Sequence, residues 1–532
     1  LCIDGNRENQ TTRYENSDRS RKKGAKEKGD MMTRKCAGII LVVALAVFAT
    51  DATAVIRDVP SVYPTIQDAV SAAVTGDRIH VATGTYNDCS TSHPAAPGLN
   101  CFVVAGKDLC FIAIDGPGTV IIDPLGVGRG ALLYQTNTSI HGFIFTNGDA
   151  PGQGGGPADG GALLAREADY NVLDCEFLQN SATNGGAVMS IGSLSNFRFC
   201  RFVDNTASND GGGFNVRSDG DSFSRAFFIR CEFLTNGAVH GGGIAIAEDA
   251  EVHDAGGLFR DNSASAAGGA IHIVLYSEIW CCNTELDGNV APPGSGREGY
   301  IGSVATGDMS CCTWHPVEWA GVAPTVNMNS DCPDLTASTA WTTLTSTASV
   351  YNFPDCSGLA LASAYGSPPP PPTVDATIHV EMINCVGVPI PNLPRDRFWL
   401  EETTIDDFVP CKLCCGKVNR FPIADGPTNP LGRTVFANPV CAGGYTDPAG
   451  GERIRVNTAW GPLPSPPFDI QFNSPDLSGD LTVDLSDVVI FAGIYYGPYE
   501  YRADYVWDGA ITLSDIVVMA NAIGAACADD CP

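Results

Sequence analysis

The sequence predicts an all-β protein whose main body is a right-handed parallel β-helix, followed by a small β-sandwich and a small α-helical module. Three observations predict it. A Phe-x-x-Asn unit recurs with its asparagines 25, 31 and 26 residues apart, the length of one solenoid coil plus loops. The 532 residues include 59 glycines and 35 prolines but only 17% charged side chains, a turn-rich, β-rich composition. Near the C-terminus, an aspartate-rich loop followed by an apolar stretch occurs twice.

Residues 31–54 read as an export signal. Met32, Arg34 and Lys35 give a charged start, Gly38–Ala49 is apolar but short for a membrane span, and Ala52-Thr53-Ala54 offers small residues for cleavage. The 30 residues ahead of it are polar and basic and are set aside with it, so residues 1–54 are excluded from fold reasoning. That segment carries ten basic and seven acidic residues; without it, 21 basic residues face 53 acidic ones. So acidic a surface excludes nucleic acid as a partner, because phosphate binding needs a basic face. No transmembrane anchor is expected in the mature chain, which is read as secreted, extracellular or cell-surface. Of 21 cysteines, all but Cys2 and Cys36 remain, and export favours disulfides.

The β-helix is assigned to residues 55–366. At its start, Thr65 is placed to cap a helix whose Ile66, Val70, Ala73 and Val74 share a face, with Gly76 ending it. Arg78–Ala82 then alternates as a strand, and Gly84-Thr85-Tyr86 follows. This opening resembles the N-terminal cap of pectin-lyase-like β-helices, which implies a helix plugging the end of the core. The repeat itself runs Cys175-Glu-Phe177-Leu-Gln-Asn180, Cys200-Arg-Phe202-Val-Asp-Asn205, Cys231-Glu-Phe233-Leu-Thr-Asn236 and Gly257-Leu-Phe259-Arg-Asp-Asn262. A glycine cluster follows each copy, from Gly185-Gly186-Ala187 to Gly268-Gly269-Ala270. Cys and Phe at alternate positions point into the core. Stacking predicts a phenylalanine column and an asparagine ladder at a bend, where Asn is expected to take the left-handed backbone. The combination resembles the repeats of chlamydial polymorphic outer-membrane proteins, which implies a β-helix adhesin architecture.

Candidate chemistry on the solenoid is sparse. Cys175, Cys200 and Cys231 read as stacked small apolar residues rather than a metal site. Cys281-Cys282 and Cys311-Cys312 read as disulfide partners near the solenoid's end. The pectin-lyase resemblance implies catalysis on an outer groove. The hydrolase motifs Asn-Thr-Asp, Asp-Asp, Gly-His-Gly and Arg-Ile-Lys do not occur in the solenoid, and neither do the esterase motifs. Asp204, Asp219, Asp221, Arg217 and Arg225, around the longest inter-repeat segment, are the candidates for a lyase-type site, against a reading as a solvated loop.

Pro368–Pro372, within 367–373, is expected to be a stiff linker, with a second domain over 374–470. There Ile378, Val380 and Met382 alternate as a strand, and Gly432–Phe436 reads as a turn and another strand. The pattern resembles an Ig-like or carboxypeptidase-regulatory-like β-sandwich. Cys411-x-x-Cys414-Cys415, with Cys385 and Cys441, reads as disulfide-forming rather than zinc-binding.

Residues 471–532 carry the most specific chemistry. Asp476, Ser478, Asp480, Asp484 and Asp487 put oxygen side chains at loop positions 1, 3, 5, 9 and 12, with the Thr482 carbonyl at position 7. Six to eight oxygens on such a loop suit Ca²⁺. The second copy offers Asp504, Asp508, the Ala510 carbonyl, Thr512 and Asp515. Leu481 stands at position 6 of the first loop, where glycine is usual, and Val506 removes a ligand at position 3 of the second. A helix is expected from Val488. Two such loop–helix units resemble a type I dockerin. That implies folding on calcium and docking to a cohesin through positions 10 and 11, here Leu485, Ser486, Leu513 and Ser514.

Three functions compete. One is an exported β-helix that binds polysaccharide or a surface partner, tethered by its C-terminal module. The second is a polysaccharide lyase or glycoside hydrolase displayed by the same tether. The third is an adhesin-like structural protein. The missing motifs favour the first, and whether the chain is an enzyme stays open.

Overall fold

The computed structural model describes residues 55–532 except 151–157, 221, 311–312, 315–318, 323–331, 367–371, 385–386, 403–407, 411–422, 447–453, 466–467 and 528–532. The export signal lies outside the described residues. Predominantly β, the chain stacks into long parallel sheets that form a β-helix. Ten strands, from Ile56–Val59 to Thr306–Ser310, make the first sheet. Nine, from Gly84–Tyr86 to Thr313–Trp314, make the second, and ten make the third. A coil visits them in turn. Asp169–Leu173 lies in the first sheet, Glu176–Leu178 in the second, Ser181–Asn184 in a fourth, four-stranded sheet, and Val188–Ile191 in the third. Leu194–Arg198 then starts the next coil.

The register is the one the repeat requires. Phe145, Phe177, Phe202, Phe233 and Phe259 pair in sequence, with ring centroids 5.4, 4.8, 4.5 and 4.7 Å apart and every ring buried. Asn180, Asn205, Asn236 and Asn262 form the ladder, each Nδ2 donating to the next Asn Oδ1 at 2.9–3.0 Å. A fifth rung, Asn289, accepts from Asn262 at 2.9 Å. Its coil carries Leu286 in the phenylalanine column and Thr284 in the cysteine column, which hid it from the motif. One expectation is corrected. The left-handed residues at this bend are Gln179, Asp204, Thr235 and Asp261, just before each Asn (φ +55 to +56°). The asparagines act through their amides instead, spanning backbone groups of neighbouring coils. The glycine corners need glycine for space: a Cβ on Gly212 would lie 2.4 Å from the Gly242 carbonyl oxygen.

Helix α1 (Ile66–Ala72) covers the N-terminal end, with the Thr65 hydroxyl accepting from the Asp68 N–H at 3.0 Å. Ile66, Ala69 and Val70 enter the solenoid core. Val74 does not: it follows the helix and is 55% exposed.

The second body begins earlier than expected. Thr339–Trp341 pairs antiparallel with Ile378–Glu381, and Ala348–Tyr351 pairs with Ala364–Gly366 and with Ile470–Asn473. Ala348, Val350, Leu361 and Ala364 share one core with Ile378, Val380, Phe398 and Phe472. Ala364 and Tyr365 also face Val374 and Thr373 across an antiparallel pair. The proline-rich segment therefore joins two neighbouring strands of one body rather than linking two domains, although residues 367–371 themselves lie outside the described set.

This body packs on the edge of the solenoid. Arg198 pairs with Asp396 at 3.1 Å, Arg230 donates to the Asn457 Oδ1 at 2.9 Å, and Phe199 meets Trp399 edge-on at 5.4 Å. Disulfides join Cys89 to Cys101, Cys282 to Cys332 and Cys356 to Cys441. Cys281, paired in sequence with Cys282, instead lies buried in the solenoid core. Cys311, Cys312, Cys385, Cys411, Cys414 and Cys415 lie outside the described residues. Among the described residues, no helix is long and apolar enough to cross a membrane.

Candidate metal centre

The C-terminal module has two helices, α2 (Leu485–Tyr495) and α3 (Leu513–Ala522). Helix α2 starts three residues before the expected Val488, because Asp484 caps it and Asp487 closes a capping box on the Asp484 N–H. Thr512 and Asp515 do the same for α3. Position 12 of each loop thus serves both the loop and the helix start.

The two loops share one backbone. In the first, Gly479 and Leu481 have φ of +73 and +69°; in the second, Trp507 and Gly509 have +54 and +84°. Positions 4 and 6 are left-handed in both, with glycine at one of them each time. Leu481 therefore holds the turn that glycine usually makes, at a cost of about 1–2 kcal/mol for an L-residue. The hydrogen bonds match as well. Asp476 Oδ2 accepts from the Leu481 N–H at 2.8 Å, as Asp504 Oδ2 does from Gly509 at 2.9 Å. Asp480 Oδ1 accepts from Thr482 and Asp508 Oδ1 from Ala510, both at 3.0 Å.

Of the first loop's predicted ligands, Asp476, Asp480 and Asp487 converge, with carboxylate oxygens all within 4.8 Å of one another. Among the described residues this is the only such trio. Asp476 and Asp487 are fully buried. Burial and the carboxylates of Asp487 and Asp480 push the Asp476 carboxyl up to about 6. Such crowding of like charge is relieved by a hard cation, and an all-oxygen donor set fits Ca²⁺. The other predicted ligands are turned to local bonds: Ser478 Oγ donates to Asp476 at 3.2 Å, and Asp484 Oδ1 accepts from Ser486. Thr482, whose carbonyl is the expected ligand, has an exposed side chain and bridges to Ala526.

The second loop is less open to a cation. Asp504 and Asp515 are buried, and Asp515 accepts from backbone N–H groups much as Asp487 does, but here the Tyr499 hydroxyl also donates to Asp504 Oδ2 at 2.9 Å. Asp508 and Ala510 are exposed. The docking candidates are presented outward: Leu485 and Leu513 are each 73% exposed, with Ser486 and Ser514 exposed beside them.

On the solenoid, the proposed lyase candidates do not converge. Asp204 bonds to Thr235, Arg225 to Glu251 and Asp219 to Ser222 within its own loop, while Asp221 lies outside the described residues. Arg217 joins a larger polar cluster, facing Asp159 at 3.6 Å. The thiols of Cys175, Cys200 and Cys231 are fully buried; burial pushes Cys175 up to about 12 and Cys200 well above its ordinary value. Raised in this way, the Cys175 and Cys200 thiols suit packing, as expected, and not thiolate ligation.

The chain matches no protein-family model, no curated protein and no solved structure, so the functional reading rests on this geometry.

Proposed function

We propose that this is an exported β-helix protein that binds polysaccharide or a surface partner and is tethered through a calcium-dependent, dockerin-like module. The observation that carries the reading is the pairing of two isostructural aspartate loops, one gathering three carboxylates, with matched exposed leucines at the first position of each helix. Hard oxygen donors in the first loop would hold Ca²⁺, with Asp476, Asp480 and Asp487 as side-chain ligands. The cation would offset the repulsion among buried carboxylates and so couple metal binding to folding. Leu485, Ser486, Leu513 and Ser514 then form a two-fold repeated surface for a cohesin-like partner.

Isothermal calorimetry on the full chain tests this. Calcium is expected to bind with one tighter and one weaker site and to raise the thermal midpoint. Asp480→Ala lowers the affinity of the tighter site at least tenfold and reduces the calcium-induced stabilisation with it. Unchanged calcium binding in that variant would sink the assignment.

A further inference from the structure

One column of side chains on the outer face of the β-helix is not accounted for by packing. Asp159, Asn184, Asp210 and His240 occupy equivalent positions on successive coils, paired Asp159 with Asn184, Asn184 with Asp210, and Asp210 with His240. They form one continuous hydrogen-bonded chain. Asn184 Nδ2 donates to Asp159 Oδ1 at 2.9 Å, and Asn209 Nδ2 bridges Asn184 Oδ1 and Asp210 Oδ2 at 2.9 Å each. His240 Nδ1 meets Asp210 Oδ1 at 2.9 Å. A carboxylate only accepts, so the Nδ1 proton lies toward Asp210 and Nε2 is the ring nitrogen left for a ligand. The column itself passes next to Ala267, but on the adjoining third sheet the His272 ring stacks on His240 at 4.9 Å and the Tyr300 ring on His272 at 5.2 Å, which extends the strip. Five coil steps at about 4.8 Å make a strip roughly 24 Å long.

One end of this strip holds a buried polar atom with no hydrogen bond among the described residues. Asp159 is 2% exposed, and among the described residues its Oδ2 has no hydrogen-bond partner, facing the Arg217 guanidinium at 3.6 Å. A buried carboxylate oxygen without a donor costs free energy that a ligand donor would recover. Elsewhere the strip is reachable: the side chains of Asp210, His240 and Arg217 are each about one-third exposed.

We propose that this strip, from Asp159 to Tyr300, binds an extended chain of neutral sugars. The inference rests on the polysaccharide reading above and specifies where and what the solenoid binds. Adjacent carboxylate, amide and imidazole groups donate to and accept from vicinal hydroxyls, and the ring stack offers an apolar edge to sugar C–H groups. The charge decides against a polyuronate. The column carries two carboxylates, and the two guanidiniums beside Asp159 are already engaged, Arg217 with its carboxylate and the buried Arg129 with its backbone carbonyl, on a chain of net charge −29. An anionic polymer would be repelled.

The test is calorimetric titration of the full chain with cellohexaose, mannohexaose and xylohexaose, with polygalacturonate as the charged comparison. At least one neutral hexasaccharide is expected to bind, with affinity lowered tenfold or more in both Asp210→Asn and His240→Ala. Asp210→Asn keeps the side-chain shape, and Asn209→Ala, at an exposed position, serves as a further variant should His240→Ala not fold. Neutral glycan bound equally by wild type and variants overturns this site while leaving the polysaccharide reading standing. No saccharide bound by the wild type overturns both, and a preference for polygalacturonate overturns the assignment of ligand class.

Discussion

Asp254 is a carboxylic acid in the aromatic core of the solenoid, in register with Phe228 on one side and Cys281 on the other. Its place follows from a gap in the cysteine column. Gly257 stands where Cys231 stands one coil earlier, and the Asp254 carboxylate lies where a side chain on Gly257 would point. Oδ2 accepts from the Thr284 hydroxyl and from the Gly257 N–H. Oδ1 has no partner. Burial pushes this carboxyl up to about 7. Because the folded value lies above the unfolded one, the folded state holds a proton that the unfolded chain releases. Stability from this site is complete below about pH 4 and is lost as pH rises through about 7. Asp254→Asn is therefore expected to raise stability at pH 8 by a few kcal/mol, on the order of the pKa difference, and to change it much less at pH 4. Denaturant melts of both proteins across that range check the prediction, and parallel pH profiles would contradict it.

At the scale of an element, the asparagine ladder behaves as a single strut rather than as separate bonds. Asn236 donates to the Phe202 carbonyl at 2.8 Å and to Asn262 at 2.9 Å, and it accepts from both the backbone and the side chain of Asn205 at 3.0 and 2.9 Å. All of these groups are buried away from water. Asn236→Ala would leave several of them unpaired, each costing about 1–3 kcal/mol, so a loss of 3 kcal/mol or more is expected by guanidinium denaturation. The ladder ends where Asn289 donates to the Glu298 carboxylate at 2.8 Å, a side chain from the following turn. The two calcium loops form a similar pair of matched elements with unequal detail. Their backbones agree, but Tyr499 already occupies an oxygen of Asp504. Asp508→Ala is therefore expected to weaken only the lower-affinity calcium site, leaving the tighter one within about twofold in the same titration.

Across the whole molecule, the solenoid and the second body meet through a mixed interface that the Cys282–Cys332 disulfide also spans. The Arg230 guanidinium lies 5.7 Å from the Phe199 ring and 6.0 Å from Trp399 while donating to Asn457. Nearby, Gly256 has no room for a side chain: a Cβ would lie 2.8 Å from the Trp460 carbonyl oxygen. Arg230→Ala removes both the charge–aromatic contacts and a hydrogen bond, a loss of about 1–2 kcal/mol. Faster limited proteolysis of residues 332–473 is expected, with calcium affinity unchanged. Equal proteolysis rates would show that the arginine does not hold the two bodies together.

The parts of this protein legible in its sequence are those that repeat. Phe177, Phe202, Phe233 and Phe259 announce their stack, and the aspartates of the first C-terminal loop announce their convergence, because the same local motif recurs and folds the same way each time. What does not repeat had to wait for the tertiary structure. Asn289 escaped notice because Leu286 replaces the phenylalanine that marks its coil, yet backbone stacking alone carries it into the ladder. The proline segment reads as a linker from composition, but the strands flanking it pair with each other, and pairing depends on contacts that composition does not encode. Asp159, Asn184, Asp210 and His240 differ in type and in spacing, so no motif joins them. The sequence by itself determined that coils stack and which side chains fill their core, since both follow from periodicity and burial. Only the tertiary structure decided which unlike side chains line the outer face, because loops of unequal length between coils hide a register that hydrogen-bonded strands restore.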